Sequence, residues 1–315
     1  MLRLFRRPAA AASMVLLAAA VAQAQPTSRA ECEAAHPASW GRAGKDVVWV
    51  PTPDAVVHAM LTMAQVGPQD LVFDLGAGDG KIAIAAAKPP FGARSVGIEY
   101  DPDLARLAAC LVQAEGVADK ARIVEGDIFK EDFGRASVVT MYLLPQLNVC
   151  VRHRILAMEP GTRVVSHQFP MADWEPDESA TVQGRNVYLW VVPARVDGVW
   201  DFQDREGKAF AIELRQTFGK VAGEITRGRV REPLLSAAVR GHDLRFTFDT
   251  AGVTIGFAGT VRGSEIAGVL STAGTGATVE ASGRVRGELR AAPWAEMPAD
   301  CSRYYSEPPV RTGSR

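Results

Sequence analysis

A short segment of the sequence combines three glycines with acidic side chains. It reads Asp-Leu-Gly-Ala-Gly-Asp-Gly over residues 74–80, so that it opens with Asp74 and contains Gly76, Gly78 and Gly80. The apolar run Leu-Val-Phe precedes it and a helix-like pattern follows. Glycine permits sharp turns and lets a backbone approach a ligand closely. Because open α/β folds bind ligands at the carboxyl ends of their strands, we predict a ligand-binding loop here.

The chemistry of this loop argues against a phosphate ligand. Phosphate favours backbone amides and positive charge, whereas Asp74 and Asp79 would place two carboxylates beside it. The glycine spacing is not the G-x-G-x-x-G of dinucleotide sites. Gly80-Lys81 is followed by Ile82, where a P-loop requires Ser or Thr. Neither type of phosphate site is therefore predicted.

Two further acids follow the next strand-like runs. Glu99 lies about 25 residues after Asp74, and Asp127 follows a third run. In a Rossmann-like sheet an acid at the Glu99 position accepts hydrogen bonds from ribose hydroxyls. We predict that Asp127 accepts one from an adenine amino group. S-adenosylmethionine offers these groups together with a sulfonium and an ammonium, and it has no phosphate. It is the cofactor that the acids predict, and unrelated solvated loop acids are the alternative.

The elements that would position these residues alternate along residues 45–194. Short apolar runs are separated by helix-like segments, which predicts βαβ units and a parallel, Rossmann-like α/β sheet. The strand-like runs cover residues 71–73, 95–98, 122–124, 138–143 and 162–165. A last run at residues 186–192 is predicted to be an antiparallel edge strand.

The pattern changes after Pro193. Residues 195–294 contain short alternating runs separated by recurring glycines, and they show almost no helical periodicity. This spacing predicts a small antiparallel β-barrel or sandwich, with one hairpin around Gly263-Ser264. The remaining tail is residues 295–315, and after Pro298 it is polar, Pro-rich and predicted to be loose.

The first residues predict export. A basic cluster is followed by an Ala-rich apolar run and by Ala-Gln-Ala at residues 22–24, which is typical of a cleaved signal peptide over residues 1–24. An uncleaved anchor is the alternative, but the run is short for a membrane span of about 20 residues. An N-terminal extension, residues 25–44, follows. We therefore predict an exported, periplasmic protein without a stable membrane span.

Cysteines and charge limit the partners further. Export would let disulfides persist, and Cys32 and Cys301, both in polar segments, are predicted to pair. Cys110 and Cys150 lie in apolar helical patterns and are predicted to be small buried hydrophobes. No CxxC pair or Cys/His cluster predicts a metal site. The formal net charge is −1 and no basic stripe stands out, so nucleic acid is not a predicted partner.

Several of these residues together resemble class I methyltransferases. Residues 48–178 are similar to the protein-lysine methyltransferases that act on the ATP-synthase c-subunit and the adenine nucleotide translocase. The similarity is carried by residues 50–53, 74–80, 97–99, 141–145, 164–167 and 173–174. The resemblance implies that Thr52 contacts S-adenosylmethionine and that Tyr142 and His167 lie near the transferred methyl group. Those relatives act inside cells or mitochondria, so export would set this chain apart.

The resemblance implies methyl transfer to a protein lysine, in a cleft closed by the segment around Trp174. Tyr142 or His167 would orient the amine or pass a proton, although each could instead be a structural residue. Methylation of an exported small molecule and a non-catalytic binding role are the other functions, and the intact set of acids argues against the latter. An apolar cavity in the β-rich domain would favour a small ligand, and a packed interior a structural or docking module.

Overall fold

The computed structural model describes residues 28–38 and 48–306. The predicted signal peptide, residues 1–24, lies outside the described residues, as do parts of the extension at residues 25–44 and of the tail at residues 295–315. Within the described ranges, no helix is long and apolar enough to cross a membrane.

The first domain is built on a seven-stranded sheet with the order β3-β2-β1-β4-β5-β7-β6. Its strands are β1 (Leu71–Leu75), β2 (Arg94–Glu99), β3 (Ala121–Glu125), β4 (Val138–Met141), β5 (Arg163–His167), β6 (Glu178–Val182) and β7 (Arg185–Val191). Strands β1 to β5 pair in parallel, and β7 runs antiparallel to β5. The predicted Rossmann-like sheet is confirmed.

The position of the last predicted strand is different. The run at residues 186–192 forms most of β7 and is antiparallel, as expected, but it lies inside the sheet because β6 pairs with its outer side. Strand β6 reads Glu-Ser-Ala-Thr-Val and is largely exposed. A polar, exposed edge strand contains no apolar run, so the sequence pattern gives no signal for it.

Six α-helices lie in the described part of the chain, and the start of α4 is fixed by a side-chain cap. They are α1 (Arg29–Ala35), α2 (Asp54–Met63), α3 (Lys81–Ala87), α4 (Pro102–Ala114), α5 (Pro145–Leu156) and α6 (Ser302–Tyr305). The Asp101 carboxylate caps α4 by accepting hydrogen bonds from the backbone amides of Asp103 and Leu104. Because α4 packs against β2 and β3, this cap also fixes the turn that follows β2.

The sheet register brings the predicted loop beside the end of β2. Asp74 pairs with Gly97 of β2 on one side and with Thr140 of β4 on the other. Just beyond β1, the backbone amides of Gly76 and Ala77 both donate to the carbonyl of Ile98 at 2.9 Å. The chain therefore turns sharply over β2, and the ends of neighbouring strands meet at one edge.

The second domain is a closed antiparallel barrel. Its strands are β8 (Gly198–Asp204), β9 (Ala209–Thr217), β10 (Lys220–Arg227), β11 (Val230–Pro233), β12 (Ser236–Arg240), β13 (Asp243–Thr250), β14 (Val253–Arg262), β15 (Glu265–Thr272) and β16 (Thr278–Val285). Pairing of β9 with β10 closes a ring of eight strands, and β11 pairs with β10 outside it. The predicted hairpin around Gly263-Ser264 connects β14 to β15.

Aromatic side chains fill the barrel. Trp200, Phe202, Phe246 and Phe257 are all almost completely buried. The ring of Phe246 stacks on that of Phe257 with centroids 4.7 Å apart, and Phe202 meets Phe257 edge-on at 5.4 Å. A barrel of about eight strands encloses little more than its own side chains. This packed interior favours a structural or docking module over a barrel that holds a small ligand.

The cysteine pairing predicted from the sequence is wrong. The disulfides are Cys32–Cys110 and Cys150–Cys301, with Cα atoms 5.7 Å and 5.2 Å apart. Helix α1 packs along α4, and the chain after the barrel returns to α5, so each terminal cysteine meets one in a helix of the first domain. An apolar helical pattern around a cysteine is compatible with a buried thiol and with a buried disulfide. The pattern around Cys110 and Cys150 therefore could not show that they are paired.

Phe218, in the turn between β9 and β10, connects the two domains. Its ring stacks on Trp174 at 5.7 Å and contacts Trp294 at 5.2 Å. The guanidinium of Arg152, on α5, lies 5.2 Å from the same ring. Although it is part of the barrel, Phe218 belongs to the hydrophobic core of the first domain. The barrel therefore docks on the first domain through a buried aromatic side chain.

Candidate active site

A cleft of about 590 Å³ opens at the carboxyl edge of the Rossmann-like sheet. Its wall brings together most of the residues predicted from the sequence, namely Thr52, Asp74, Gly76, Gly78, Glu99, Asp127 and Tyr142. Two of the predicted residues, Gly80 and His167, are not part of the wall. The cleft therefore lies where the ends of β1, β2, β3 and β4 converge.

The glycines shape the floor of the cleft. Gly76 and Gly78 have φ angles of 75° and 56°, in the left-handed region that side chains rarely adopt. A Cβ atom on Gly78 would lie 2.5 Å from Nε1 of Trp49. Gly80 has a φ of 76° and is the N-cap residue directly before α3, where a Cβ atom would lie 3.1 Å from Cβ of Ala108. Gly76 and Gly78 thus leave room for the Leu143 and Trp49 side chains of the cleft wall, and Gly80 lets the start of α3 approach Ala108 of α4.

Asp74 is almost completely buried at the base of the cleft. Its Oδ1 accepts a hydrogen bond of 2.8 Å from the hydroxyl of Thr140. The pKa of Asp74 is raised to about 7, mainly by burial; the Thr140 hydrogen bond lowers it, and the nearby carboxylates of Asp79 and Glu99 add to the rise. The carboxyl group therefore titrates near neutral pH unless a cation stabilises its charged form.

Glu99 connects the glycine loop to the turn before α4. Its Oε2 accepts from the backbone amide of Gly78 at 2.7 Å, and its Oε1 accepts from that of Asp101 at 2.9 Å. Burial raises the pKa of Glu99, while these two backbone hydrogen bonds act against the shift. The side chain is therefore both a brace for the loop and a carboxylate in the wall of the cleft.

Asp127 lies at the far side of the cleft, after β3. Its Oδ1 accepts a hydrogen bond of 3.0 Å from the backbone amide of Phe129. Ile128 and Phe129 contribute apolar surface to the same wall. A carboxylate beside apolar side chains provides the polar and the flat apolar contacts that an aminopurine ring needs.

The residues present fit S-adenosylmethionine. The acids Asp74, Asp79, Glu99 and Asp127 line the cleft, and among the described residues Lys81 is its one basic lining residue. This charge suits a sulfonium and an ammonium and would repel a phosphate. A Rossmann-like sheet with this glycine loop and with acids at three strand ends defines a class I S-adenosylmethionine-dependent methyltransferase.

Tyr142 and His167 lie together at the ends of β4 and β5, on the side of the sheet opposite β3. Tyr142, just beyond β4, contributes to the wall, and its ring lies 3.9 Å from that of His167. His167 is fully buried at the end of β5, with Nδ1 3.2 Å from Oγ1 of Thr52. Burial, with a smaller contribution from Arg185, lowers the pKa of His167 to about 4. The imidazole is therefore neutral at pH 7 and stands behind Tyr142.

Several wall residues were not among the predicted site residues. They include Trp49, Leu144, Leu147 and Phe169. The Leu-Leu-Pro segment at residues 143–145 gave a signal only through family resemblance, and nothing in the spacing marked Trp49 or Phe169. Trp174 does not close the cleft, because it is buried against Phe218. Phe169, from the same connection after β5, lines the wall instead.

Comparison with known proteins agrees with this class. The family model of the ANTKMT methyltransferase domain matches residues 74–178. A protein-lysine N-methyltransferase of Saccharolobus islandicus is 42% identical over 151 residues, which are 46% of this chain and 94% of that protein. The adenine nucleotide translocase lysine N-methyltransferase of Mus musculus is 31% identical over 122 residues, which are 38% of this chain and 52% of the mouse protein.

A solved structure is also similar in sequence. It is an RNA methyltransferase from Salinibacter ruber in complex with S-adenosyl-L-homocysteine, 46% identical, with a TM-score of 0.46, covering 47% of this chain and 96% of that one. The chain belongs to the methyltransferase family that contains the Saccharolobus islandicus protein-lysine N-methyltransferase. It is thus an S-adenosylmethionine-dependent methyltransferase, with a barrel that lies outside the residues matched by the family model.

Proposed function

We propose that the protein transfers a methyl group to the side-chain amine of a lysine in an exported protein. The match to a protein-lysine N-methyltransferase, over 94% of that relative's length, carries the proposal. Transfer to a small molecule is the alternative, and the side chains that pack the barrel core favour a docking role for the barrel over a role in holding such a molecule inside it.

The wall around Tyr142 suits an amine on an apolar stem. Leu144, Leu147 and Phe169 line the same cleft, and the Phe169 ring lies 6.2 Å from that of Tyr142. A solvated lysine amine is protonated at neutral pH, and apolar surroundings lower its pKa and so favour the neutral nucleophile. When bound, S-adenosylmethionine supplies a methyl group that its sulfonium already activates. The protein's task is then alignment and exclusion of water.

Within this proposal Tyr142 contacts the amine and His167 positions Tyr142. The His167 imidazole packs on the Tyr142 ring and is held by Thr52, so it fixes the ring from behind. Because it is neutral at pH 7, it adds no positive charge that would repel an approaching ammonium. The apolar wall favours release of the ammonium proton to solvent, and the Tyr142 hydroxyl orients the neutral amine. Transfer of the methyl group to that amine would leave S-adenosylhomocysteine as the product.

We propose further that the reaction takes place in the periplasm. The N-terminal signal pattern supports this, as does the use of all four cysteines in disulfides, which persist in oxidising compartments. Intact-mass analysis of the native protein should show a chain that begins near residue 25 and resists alkylation until reduced. A mature chain that retains Met1, or that reacts with alkylating reagent at once, would contradict export.

Mass spectrometry of envelope proteins tests the acceptor. Lysine methylation is compared between cells with the wild-type chain, cells without it and cells with Asp74→Asn, which should bind the cofactor poorly. We expect at least one methylated lysine only with the wild type, reproduced by purified enzyme and labelled S-adenosylmethionine. If no lysine differs and the purified enzyme methylates only a small molecule, the acceptor assignment is wrong while the cofactor assignment stands.

A further inference from the structure

Thr140 lies at the centre of the sheet, one strand away from the glycine loop. It is paired with Asp74 across β4 and β1 and is fully buried. Its hydroxyl donates a 2.8 Å hydrogen bond to Oδ1 of Asp74. Thr140 does not line the cleft, whereas Asp74 does. Any effect of Thr140 on the cofactor must therefore pass through Asp74.

The hydroxyl opposes the other influences on Asp74. Burial and the neighbouring carboxylates of Asp79, from the loop, and Glu99, from β2, disfavour a charged Asp74. Two other charged residues line the same cleft from other elements. They are Asp127, which follows β3, and Lys81, the first residue of α3. A donated hydrogen bond stabilises the carboxylate relative to the neutral acid, and it also fixes the direction of the carboxyl group.

We propose that Thr140 is a positioning residue of the cofactor site, whose hydroxyl holds the Asp74 carboxylate charged and aligned for the positive groups of S-adenosylmethionine. This role concerns cofactor binding only. It holds whether the methyl acceptor is a lysine or another molecule.

The variant Thr140→Val tests this, because it removes the hydroxyl and keeps the side-chain volume. Affinity for S-adenosylmethionine is measured by calorimetry between pH 6 and pH 9 and expressed at each pH as the ratio to wild type. The ratio cancels titration of the cofactor's own amine, whose pKa is near 8. We expect a loss of roughly tenfold at pH 7, as for a hydrogen bond to a charged group. The loss should shrink towards pH 9, where Asp74 is ionised in both proteins.

Three further variants separate positioning from general damage. Thr140→Ser keeps a hydroxyl and should recover most of the affinity. Thr162→Val removes another buried hydroxyl, which donates to the carbonyl of Glu159 at 2.8 Å, and should leave cofactor affinity unchanged. In an Asp74→Asn background, Thr140→Val should add little further loss, since the two residues act as one unit.

The proposal is overturned by either of two results. One is wild-type affinity of Thr140→Val across the pH range. The other is the same loss in the Asp74→Asn background as in the wild type. If Thr140→Val does not fold, Thr140→Ala is compared with Thr140→Ser instead, and equal cofactor affinities of these two variants would overturn the proposal.

Discussion

Burial gives the carboxyl groups of the cleft properties that they lack in water. It raises the pKa of Asp74 to about 7 and raises the pKa of Glu99 and of Asp79 as well. These groups lie too close together to be ionised without cost, because each destabilises the charge of its neighbours. A ligand with a sulfonium and an ammonium relieves this repulsion. Cofactor binding and proton release are therefore linked at this site.

Glu99→Gln should weaken cofactor binding by roughly 1–3 kcal/mol, which is the value of a lost hydrogen bond to a charged group. The amide keeps the size of the side chain but loses one acceptor oxygen and the negative charge. Calorimetry with S-adenosylmethionine measures the effect. Glu125→Gln is a matched control, because Glu125 is the neighbour of Glu99 in the sheet but is exposed. Equal affinities for Glu99→Gln and wild type would remove the ribose assignment.

His167 should make the protein sensitive to acid. The pKa of His167 is about 4 in the folded protein and 6.5 in the unfolded chain. Between pH 4 and pH 6.5 the imidazole is therefore protonated more fully in the unfolded chain. The stability that the neutral His167 contributes is complete above pH 6.5 and is lost as the pH falls towards 4. Asp74 acts in the opposite sense between pH 4 and pH 7, because its folded pKa is raised.

Comparison of variants isolates the histidine. Urea unfolding at pH 7 and pH 4.5 should show a smaller acid-induced loss of stability for His167→Gln than for wild type, since Asp74 is common to both. His58→Gln, at an exposed position on α2, should behave like the wild type. An unchanged pH dependence in His167→Gln would mean that the imidazole is not buried in its neutral form.

The elements that were predicted well are those whose local chemistry decides their structure. Strands β1 to β5 all contain short apolar runs, which are buried in every strand except the partly exposed β3. The acids at three of their ends follow from strand spacing and charge. Strand β6 was missed because its pairing with β7 depends on the sheet and not on its own polar residues. The disulfides and Thr140 depend on contacts across the fold, such as α1 on α4, and no local pattern contains that information.

The segment after the barrel forms a clasp on the first domain, which we define as residues 293–305. The prediction that the chain is loose after Pro298 is therefore wrong as far as Tyr305, because helices and a disulfide hold this part in place. Cys301 bonds to Cys150 on α5, and the Tyr305 hydroxyl donates to the Cys150 carbonyl at 2.8 Å. The ring of Tyr304 stacks on Phe129 at 4.9 Å, and that of Tyr305 meets it edge-on at 5.2 Å. Because Phe129 lines the cofactor cleft, the clasp supports that wall from behind.

Removal of the Cys150–Cys301 disulfide by paired alanine substitutions should lower stability by about 2–4 kcal/mol and should also weaken cofactor binding. Paired substitution of Cys32 and Cys110 is the control, since that disulfide lies in a different hydrophobic cluster from Phe129. Unfolding curves and calorimetry are measured on all three proteins. If both disulfide variants lose stability but bind S-adenosylmethionine with equal affinity, the clasp has no special role at the cleft.

At the scale of the whole molecule, two hydrophobic cores meet at one aromatic side chain. The barrel core is made by residues of its own strands, including Trp200, Phe202 and Phe246. Phe218 is not part of that core, and its side chain packs in the core of the first domain. On the rim of the interface, Arg240 of β12 bonds to Glu178 of β6 at 2.7 Å. The barrel core thus consists of the barrel's own residues, while Phe218 joins the barrel to the core of the first domain.

Residues 194–292 expressed alone should therefore fold as a barrel, with a β-type circular dichroism spectrum and one cooperative melting transition. Phe218 has no partner core in this fragment, so Phe218→Ser should change its melting little. In the full chain the same substitution empties a buried aromatic site and should cost on the order of 3–5 kcal/mol. Thermal and urea unfolding of the four proteins give the comparison. A disordered or helical fragment would show that the barrel needs the first domain to fold, and an equal effect of Phe218→Ser in both contexts would show that Phe218 belongs to the barrel's own core.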